Sequence, residues 1–272
     1  MDRSPDKILV FIPAYQCAAQ ISRVLMQFSK PAIADRFAQI IVVDNQSQDA
    51  TLEIAVATAK LLNLNKIAVV RNQDNYGLGG SHKAAFQYAI AHEFTHVVVL
   101  HGDDQGDIGD LMPVLDRHWL HQYDVCLGAR FMPGAKLEGY SRFRIFGNIV
   151  FNRLFSVAAG RRLYDLGSGL NMYAIPALSS AYWLKFHDNL MFNYCMILAH
   201  AIRSDNSHFF PISWREDDQI SNVKLASQAR RTLGILWRYM WAKIRAKNQF
   251  LSHEFRSVGR TAYPFDVIAE GL

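Results

Sequence analysis

Cysteine is scarce in this chain: Cys17, Cys126 and Cys195 stand far apart, with no CxxC spacing. An odd, scattered set argues against a disulfide framework or a zinc cluster and points to small buried hydrophobes in a reducing compartment. No run approaches ~18 consecutive apolar residues, so no transmembrane helix is expected. The N-terminal MDRSPDKILVFIPAY interrupts its short apolar run with proline and lacks the apolar length of a signal peptide. Internal repeats and low-complexity linkers are missing too. The expectation is a cytoplasmic protein, soluble or attached peripherally at the inner face of a membrane.

What is present is the balance of a folded globular protein: 272 residues, half of them hydrophobic and 19% charged. That length suits one large α/β domain with an appendage. The net charge of +5 is compatible with nucleotide phosphates, nucleic acid or an anionic membrane surface. No nucleic-acid-binding motif accompanies it, so nucleic acid is not expected as a partner.

Short β-branched runs alternate with helical patterns through the first half. Strands are predicted over 7–12, 39–43, 66–70, 96–100 and 124–128, and helices over 18–28, 50–62, 81–92 and 109–121. Runs such as Ile40-Ile41-Val42-Val43 and Val97-Val98-Val99-Leu100 suit strands buried on both faces. The alternation implies βαβ crossovers and a doubly wound, mostly parallel α/β sheet. Further on, a helix is expected over 140–160, a strand over 170–175, a helix pair, and a strand over 208–213. Pro211 places that last strand at an edge. One long helix is expected over 224–247, and a tail with little pattern from Leu251. The division expected is a catalytic domain over 1–222, with a nucleotide-binding half to about 107 and an acceptor-side half over 108–222, followed by a helix and tail over 223–272.

In such a sheet ligands gather at the carboxyl ends of the strands. The polar segments sit there: Pro13-Ala14-Tyr15, Asp44–Asp49, Arg71–Gly80 and His101–Asp107. Four loops therefore converge on one edge. Asp103, directly after a buried strand, suits a hard divalent cation that would neutralise a diphosphate leaving group, and Gln105 can orient the ligand or a metal-bound water. Asp44 can accept a hydrogen bond from a base, whereas Asp49 reads as a helix cap. The segment Asn75-Tyr76-Gly77-Leu78-Gly79-Gly80-Ser81 offers backbone N–H groups to phosphate or ribose, or packs a helix tightly against the sheet. It is not a dinucleotide fingerprint, because His82 stands where G-x-G-x-x-G needs glycine.

Together the loops resemble the family 2 glycosyltransferases of the GT-A fold, with a closer likeness to the dolichyl- and polyprenyl-phosphate sugar transferases. The matching segments are Ile12-Pro13-Ala14-Tyr15, Val43–Asp49, Asn75–Gly80, His101-Gly102-Asp103-Asp104-Gln105, Gly128-Ala129-Arg130-Phe131 and Asp165–Leu170. The resemblance implies nucleotide binding by Pro13, Ala14, Tyr15, Asp44, Asn75, Gly79 and Gly102. It implies Mn²⁺ or Mg²⁺ with metal or diphosphate contact by Asp103 and Gln105, and a sugar or acceptor pocket from Arg130, Ser168, Gly169 and Asn171; His101 beside them can ligate Mn²⁺ through nitrogen, though it suits Mg²⁺ poorly, or can contact phosphate. It also implies a nucleotide-sugar donor, a lipid-phosphate or saccharide acceptor, and single displacement with inversion.

Three departures stand out. His101 occupies the first aspartate position of the family's Asp-x-Asp-x-Gln pattern, Asn45 stands where a second aspartate is usual, and Ser168-Gly169-Leu170-Asn171 lacks the arginine of Ser-Gly-Phe-Arg. A hydroxyl acceptor would need a general base, for which Glu216 and Asp217, beside Asp218, are candidates, unless that loop is a solvated lid. Two rival readings are a sugar-nucleotide-binding module with degenerate catalysis and a nicotinamide-dependent oxidoreductase. Against the latter, the glycine segment follows the third strand rather than the first.

In the long helix Lys224, Arg231, Arg238 and Arg245 recur every seven residues, opposite Leu233, Leu236, Trp237, Met240 and Ile244. Such a helix can lie on an anionic membrane, or its apolar face can dock on the catalytic domain or on another subunit of a homo-oligomer.

Overall fold

The runs predicted as strands are buried along almost their whole length, and alternate residues feed two separate cores. From β1 (Ile8–Ala14), Leu9 and Phe11 enter one core, while Ile8, Val10 and Ile12 enter the other. The protein is seen as a computed structural model that describes residues 5–216, 225–245, 248–257 and 259–271.

After β1 come α1 (Ile21–Met26), α2 (Pro31–Ala34), β2 (Gln39–Asp44), α3 (Thr51–Leu62), β3 (Ile67–Asn72), α4 (Gly77–Ala91) and β4 (His96–Leu100). The chain continues through α5 (Met112–Asp116), β5 (Val125–Ala129), β6 (Lys136–Glu138), α6 (Arg142–Ala159), β7 (Leu170–Ala174), α7 (Ile175–Leu178) and α8 (Met191–Arg203). It ends with β8 (Ser207–Pro211), β9 (Ser213–Arg215), α9 (Leu225–Arg245), α10 (Asn248–Ser252) and β10 (Phe265–Glu270). The central sheet has the order β10-β3-β2-β1-β4-β7-β5-β8. Only β7 and β10 run antiparallel to their neighbours, so the mostly parallel, doubly wound sheet is as expected. Strands β6 and β9 form a small second parallel pair. Strand β8, carrying Pro211, lies at the sheet edge, where a missing N–H costs no ladder bond.

Three expectations are corrected. The helix expected over 109–121 is broken: a 3₁₀ turn precedes α5, Pro113 sits in its first turn, and His118 adopts φ +52° before another 3₁₀ turn. Helix α4 starts at Gly77, so the glycine segment is its first turn. The tail from Leu251 is ordered structure: Phe250 and Phe255 are buried, and β10 pairs with β3 in an antiparallel ladder with a bulge at Val267/Ala269. A single short edge strand carries almost no periodic signal, and its partner lies nearly two hundred residues away.

Candidate active site

The loops that follow β1, β2, β3 and β4 meet at one edge, held by backbone bonds. Gly102 N–H donates to the Pro13 carbonyl at 3.0 Å, and Asn45 N–H donates to Ala14 at 2.9 Å. A Cβ on Gly102 would come within 2.8 Å of the Pro13 carbonyl oxygen, so only glycine lets the fourth loop lie this close to the first. Ala14 is buried below this contact, and Tyr15 projects outward, about half exposed.

The paired aspartates at the turn have different surroundings. Asp104, at φ +57°, is buried; it accepts from Arg23 Nε at 2.7 Å, from an Arg215 guanidinium nitrogen at 2.8 Å and from Gln27 Nε2 at 3.4 Å. Two arginines therefore neutralise it. Asp103 is partly exposed and accepts the Gln105 backbone N–H at 3.3 Å. Burial pushes its carboxyl up to about 6, against the opposing pull of the Gln105 amide and of the Arg130 charge. A carboxyl whose ionised form is disfavoured by burial is a fitting place for a cation. Among the described residues no three His, Cys, Asp or Glu side chains gather to hold a metal by themselves. One carboxylate completed by phosphate oxygens matches the way Mg²⁺ is commonly bound.

His101 donates its backbone N–H to Gly169 at 2.9 Å, and its ring packs edge-on to His82 with centroids 6.0 Å apart. A Cβ on Gly169 would lie 2.9 Å from His101 Cγ, which explains the glycine. Burial, helped by the Arg130 charge, pushes the His101 imidazole down to about 4, so it is neutral, and its Nε2 is buried without a hydrogen-bond partner. The ring packs against His82 and Gly169 and leaves that nitrogen unpartnered.

Asp44 is buried, accepts the Ser47 N–H and pairs with Arg71 Nε at 3.2 Å. Asp49, two residues before α3, accepts from Thr51 N–H and Oγ1, while Ala50 stands at the N-cap position without a side-chain cap. Asn45 explains its own departure from aspartate. Its Oδ1 accepts from Asn72 Nδ2 and Tyr76 N–H, while its Nδ2 donates to Asn75 Oδ1, each at 2.9 Å. An aspartate cannot supply that last donor. Asn45→Asp should therefore destabilise the fold by about 1–3 kcal/mol, the cost of leaving buried partners unsatisfied. A urea titration reads this directly, and a midpoint equal to wild type would refute the network.

The glycine segment packs closely against its neighbours. A Cβ on Gly79 would lie 2.4 Å from the His187 carbonyl, and one on Gly77 would lie 2.5 Å from that of Asp188. The Gly80 N–H already donates to Asp188. Gly79 thus brings α4 against residues 187–192. Lys83, fully buried, reinforces this corner by bonding Phe186 O, Asp188 Oδ1 and Tyr263 Oη.

After β5, Arg130 forms a bidentate pair with Asp165 through Nε and a terminal nitrogen, both at 2.8 Å, and its guanidinium lies 4.7 Å from the Trp214 ring centroid. Ser168 and Asn171 are buried and bond one another. They line a water-sized cavity of about 10 Å³ with Asn193. Strand β9 docks on the 101–105 turn: Arg215 N–H donates to Gln105 O at 3.1 Å. That contact carries Glu216 to the turn's side, where it accepts from Arg144 at 2.6 Å. Asp217 and Asp218 lie outside the described residues. Sequence reasoning missed Arg23, Arg71, Arg144 and Arg215. Each sits in a helix, strand or loop where an arginine looks like solvated surface until its carboxylate partner is known.

Residues 9–178, well over half of the chain, match the family model described as glycosyl transferase family 2. Glycosyltransferase AglJ of Haloferax volcanii is 28% identical over 173 residues, spanning 62% of this chain and 51% of that protein. Polyprenol monophosphomannose synthase of Mycolicibacterium smegmatis is 22% identical over 173 residues, 63% of either chain. The chain covers between about half and two thirds of the length of the curated relatives it matches. Among solved structures, glucosyl-3-phosphoglycerate synthase from Mycobacterium tuberculosis, in complex with Mn²⁺, UDP-glucose and phosphoglyceric acid, has a TM-score of 0.63 at 16% identity. That likeness covers 87% of this chain and 80% of that one, and it shows a shared fold. The architecture is of the GT-A type, and the chain belongs to glycosyl transferase family 2.

Proposed function

We propose that the chain transfers a sugar from a UDP- or GDP-sugar to a polyprenyl-phosphate or glycan acceptor, inverting the anomeric carbon, with Mn²⁺ or Mg²⁺ as cofactor. The observation that carries this reading is the division of labour in the turn. Asp104 is neutralised by Arg23 and Arg215 and braces the loop, while Asp103 stays partly exposed beside the edge where four strand-end loops meet. Asp103 would hold the cation, with Gln105 beside it; when bound, the cation stabilises the charge developing on the departing diphosphate. Asp44, Pro13 and Tyr15 form the base side, and Arg130, clamped by Asp165, sets the electrostatics behind the turn. In the transfer, the acceptor oxygen forms a bond to the anomeric carbon as the bond to the donor phosphate breaks. An acceptor phosphate is already anionic and has no proton to lose. An acceptor hydroxyl would need Glu216 to leave its ion pair with Arg144 to take the proton.

A thermal-shift panel of UDP, GDP and their sugars, with and without Mn²⁺, tests the reading. At a ligand concentration ~100 times Kd, stabilisation of about 2.7 kcal/mol is expected for wild type with metal, and much less for Asp103→Ala. If no nucleotide stabilises wild type in the presence of metal, the proposal fails.

A further inference from the structure

Helix α9 has two apolar faces, and among the described residues only one is buried in the fold. Ile235, Leu236, Tyr239 and Ala242 are buried in the core that also holds Phe155 and Ala158 of α6. This corrects the single apolar face expected of the helix: Leu236 docks, whereas Leu233, Trp237, Met240 and Ile244 do not. Trp237 is 66% exposed and Ile244 80%, and Trp241, stacked on Trp237, is also exposed. Helix α6 repeats the arrangement. Phe143, Phe146, Val150, Leu154 and Val157 recur at steps of three and four residues and are exposed, Phe143 by 77% and Val157 by 83%. The two helices are neighbours: Lys243 Nζ donates to the Ala158 carbonyl at 2.9 Å, and both rest on the same core.

Charge decides between occupants. Neither α6 nor α9 contains an aspartate or glutamate, while they carry Arg142, Arg144, Arg153, Arg230, Arg231, Arg238, Lys243 and Arg245. All of these except Arg144 are exposed. A second copy of this face would bring cations against cations, with no carboxylate on either helix to offset them. An anionic bilayer complements both features, since its headgroups attract the cations and its acyl boundary takes the aromatic and aliphatic side chains. Indoles flanked by arginines, as at Trp241 under Arg245, suit the headgroup depth. No described helix is long and apolar enough to cross a membrane, so the contact would be in-plane.

We infer that α6 and α9 together form a docking face for an anionic lipid surface. The α6 end of this face adjoins the catalytic turn through the Arg144–Glu216 ion pair, so a docked enzyme would hold its acceptor side near the membrane. The inference does not require the proposed transfer reaction, and its test measures no activity.

The test is co-sedimentation of the full chain with phosphatidylcholine vesicles, pure or containing about 30% phosphatidylglycerol, at low and at high salt. Wild type should pellet with the anionic vesicles at low salt, and salt should release it. Phe146→Ser/Trp237→Ser, which alters exposed side chains only, should melt like wild type yet lose roughly tenfold or more of its partitioning. Equal binding of the double variant, equal binding to neutral vesicles, or no binding by wild type would overturn the inference. So would a dimer in light scattering that the double variant dissolves without any vesicle binding.

Discussion

Asp103→Asn is expected to lower sugar transfer by about two to three orders of magnitude while leaving the melting temperature close to wild type. The substitution keeps the shape and an acceptor for the Gln105 N–H, and removes only the charge that would hold the cation. Losses of that order follow when one group stabilising transition-state charge is removed. Asp104→Asn should behave in the opposite way. Asp104 is buried under Arg23, Arg215 and Gln27, so losing its charge loosens the contacts that join α1 and β9 to the turn. The arginines themselves are about half exposed, which limits the cost to about 1–2 kcal/mol. Steady-state rates set beside melting curves for the two variants separate the roles. A rate loss confined to Asp104→Asn would reverse the assignment. Donor binding at wild-type affinity with no turnover in wild type itself would make the chain a sugar-nucleotide-binding module.

The second large effect is expected at Asp165. Its carboxylate is buried and is the acidic partner of Arg130, whose side chain is only 12% exposed. Asp165→Ala should destabilise the protein by about 3–5 kcal/mol, because it strands a buried guanidinium without its counter-charge. Replacing both partners, as in Arg130→Met with Asp165→Leu, should recover most of that loss, since apolar groups of similar volume need no compensation. Activity should not recover with it, because the Arg130 charge helps to hold both His101 neutral and Asp103 ionised. Chemical denaturation and turnover of the single and double variants check both halves. A double variant as unstable as Asp165→Ala would mean that packing, and not charge, governs this corner.

Much of the fold was legible because burial on both faces of a parallel strand writes itself into consecutive residues. Ile40–Val43 and Val97–Leu100 needed no tertiary knowledge, and Pro211 alone marked an edge. The positions of the strand-end loops followed from that order, so Asp103 and Asp44 were identifiable before any coordinates. Their partners were not. Asp104 is held by residues 81 and 111 positions away, and Asn45 reaches Asn75 across 30. A lone arginine in a helix carries no local mark of the carboxylate it will meet.

The same limit explains the glycines and the long helix. Gly77, Gly79 and Gly169 look alike in a string, whether they admit a phosphate or a neighbouring chain. Only the positions of Asp188, His187 and His101 show that they admit the chain. On α9 the wheel separates basic from apolar residues, yet Leu236 and Met240, one turn apart, are neighbours on it, and packing sends one inward and leaves the other out. Sequence by itself determined which segments must leave water and at which sheet edge the polar loops gather, because periodicity and hydrophobicity are properties of neighbours along the chain. The tertiary structure decided which carboxylate is neutralised, which glycines pack, which helix face stays exposed and where β10 returns, because those depend on contacts between residues that the chain keeps far apart.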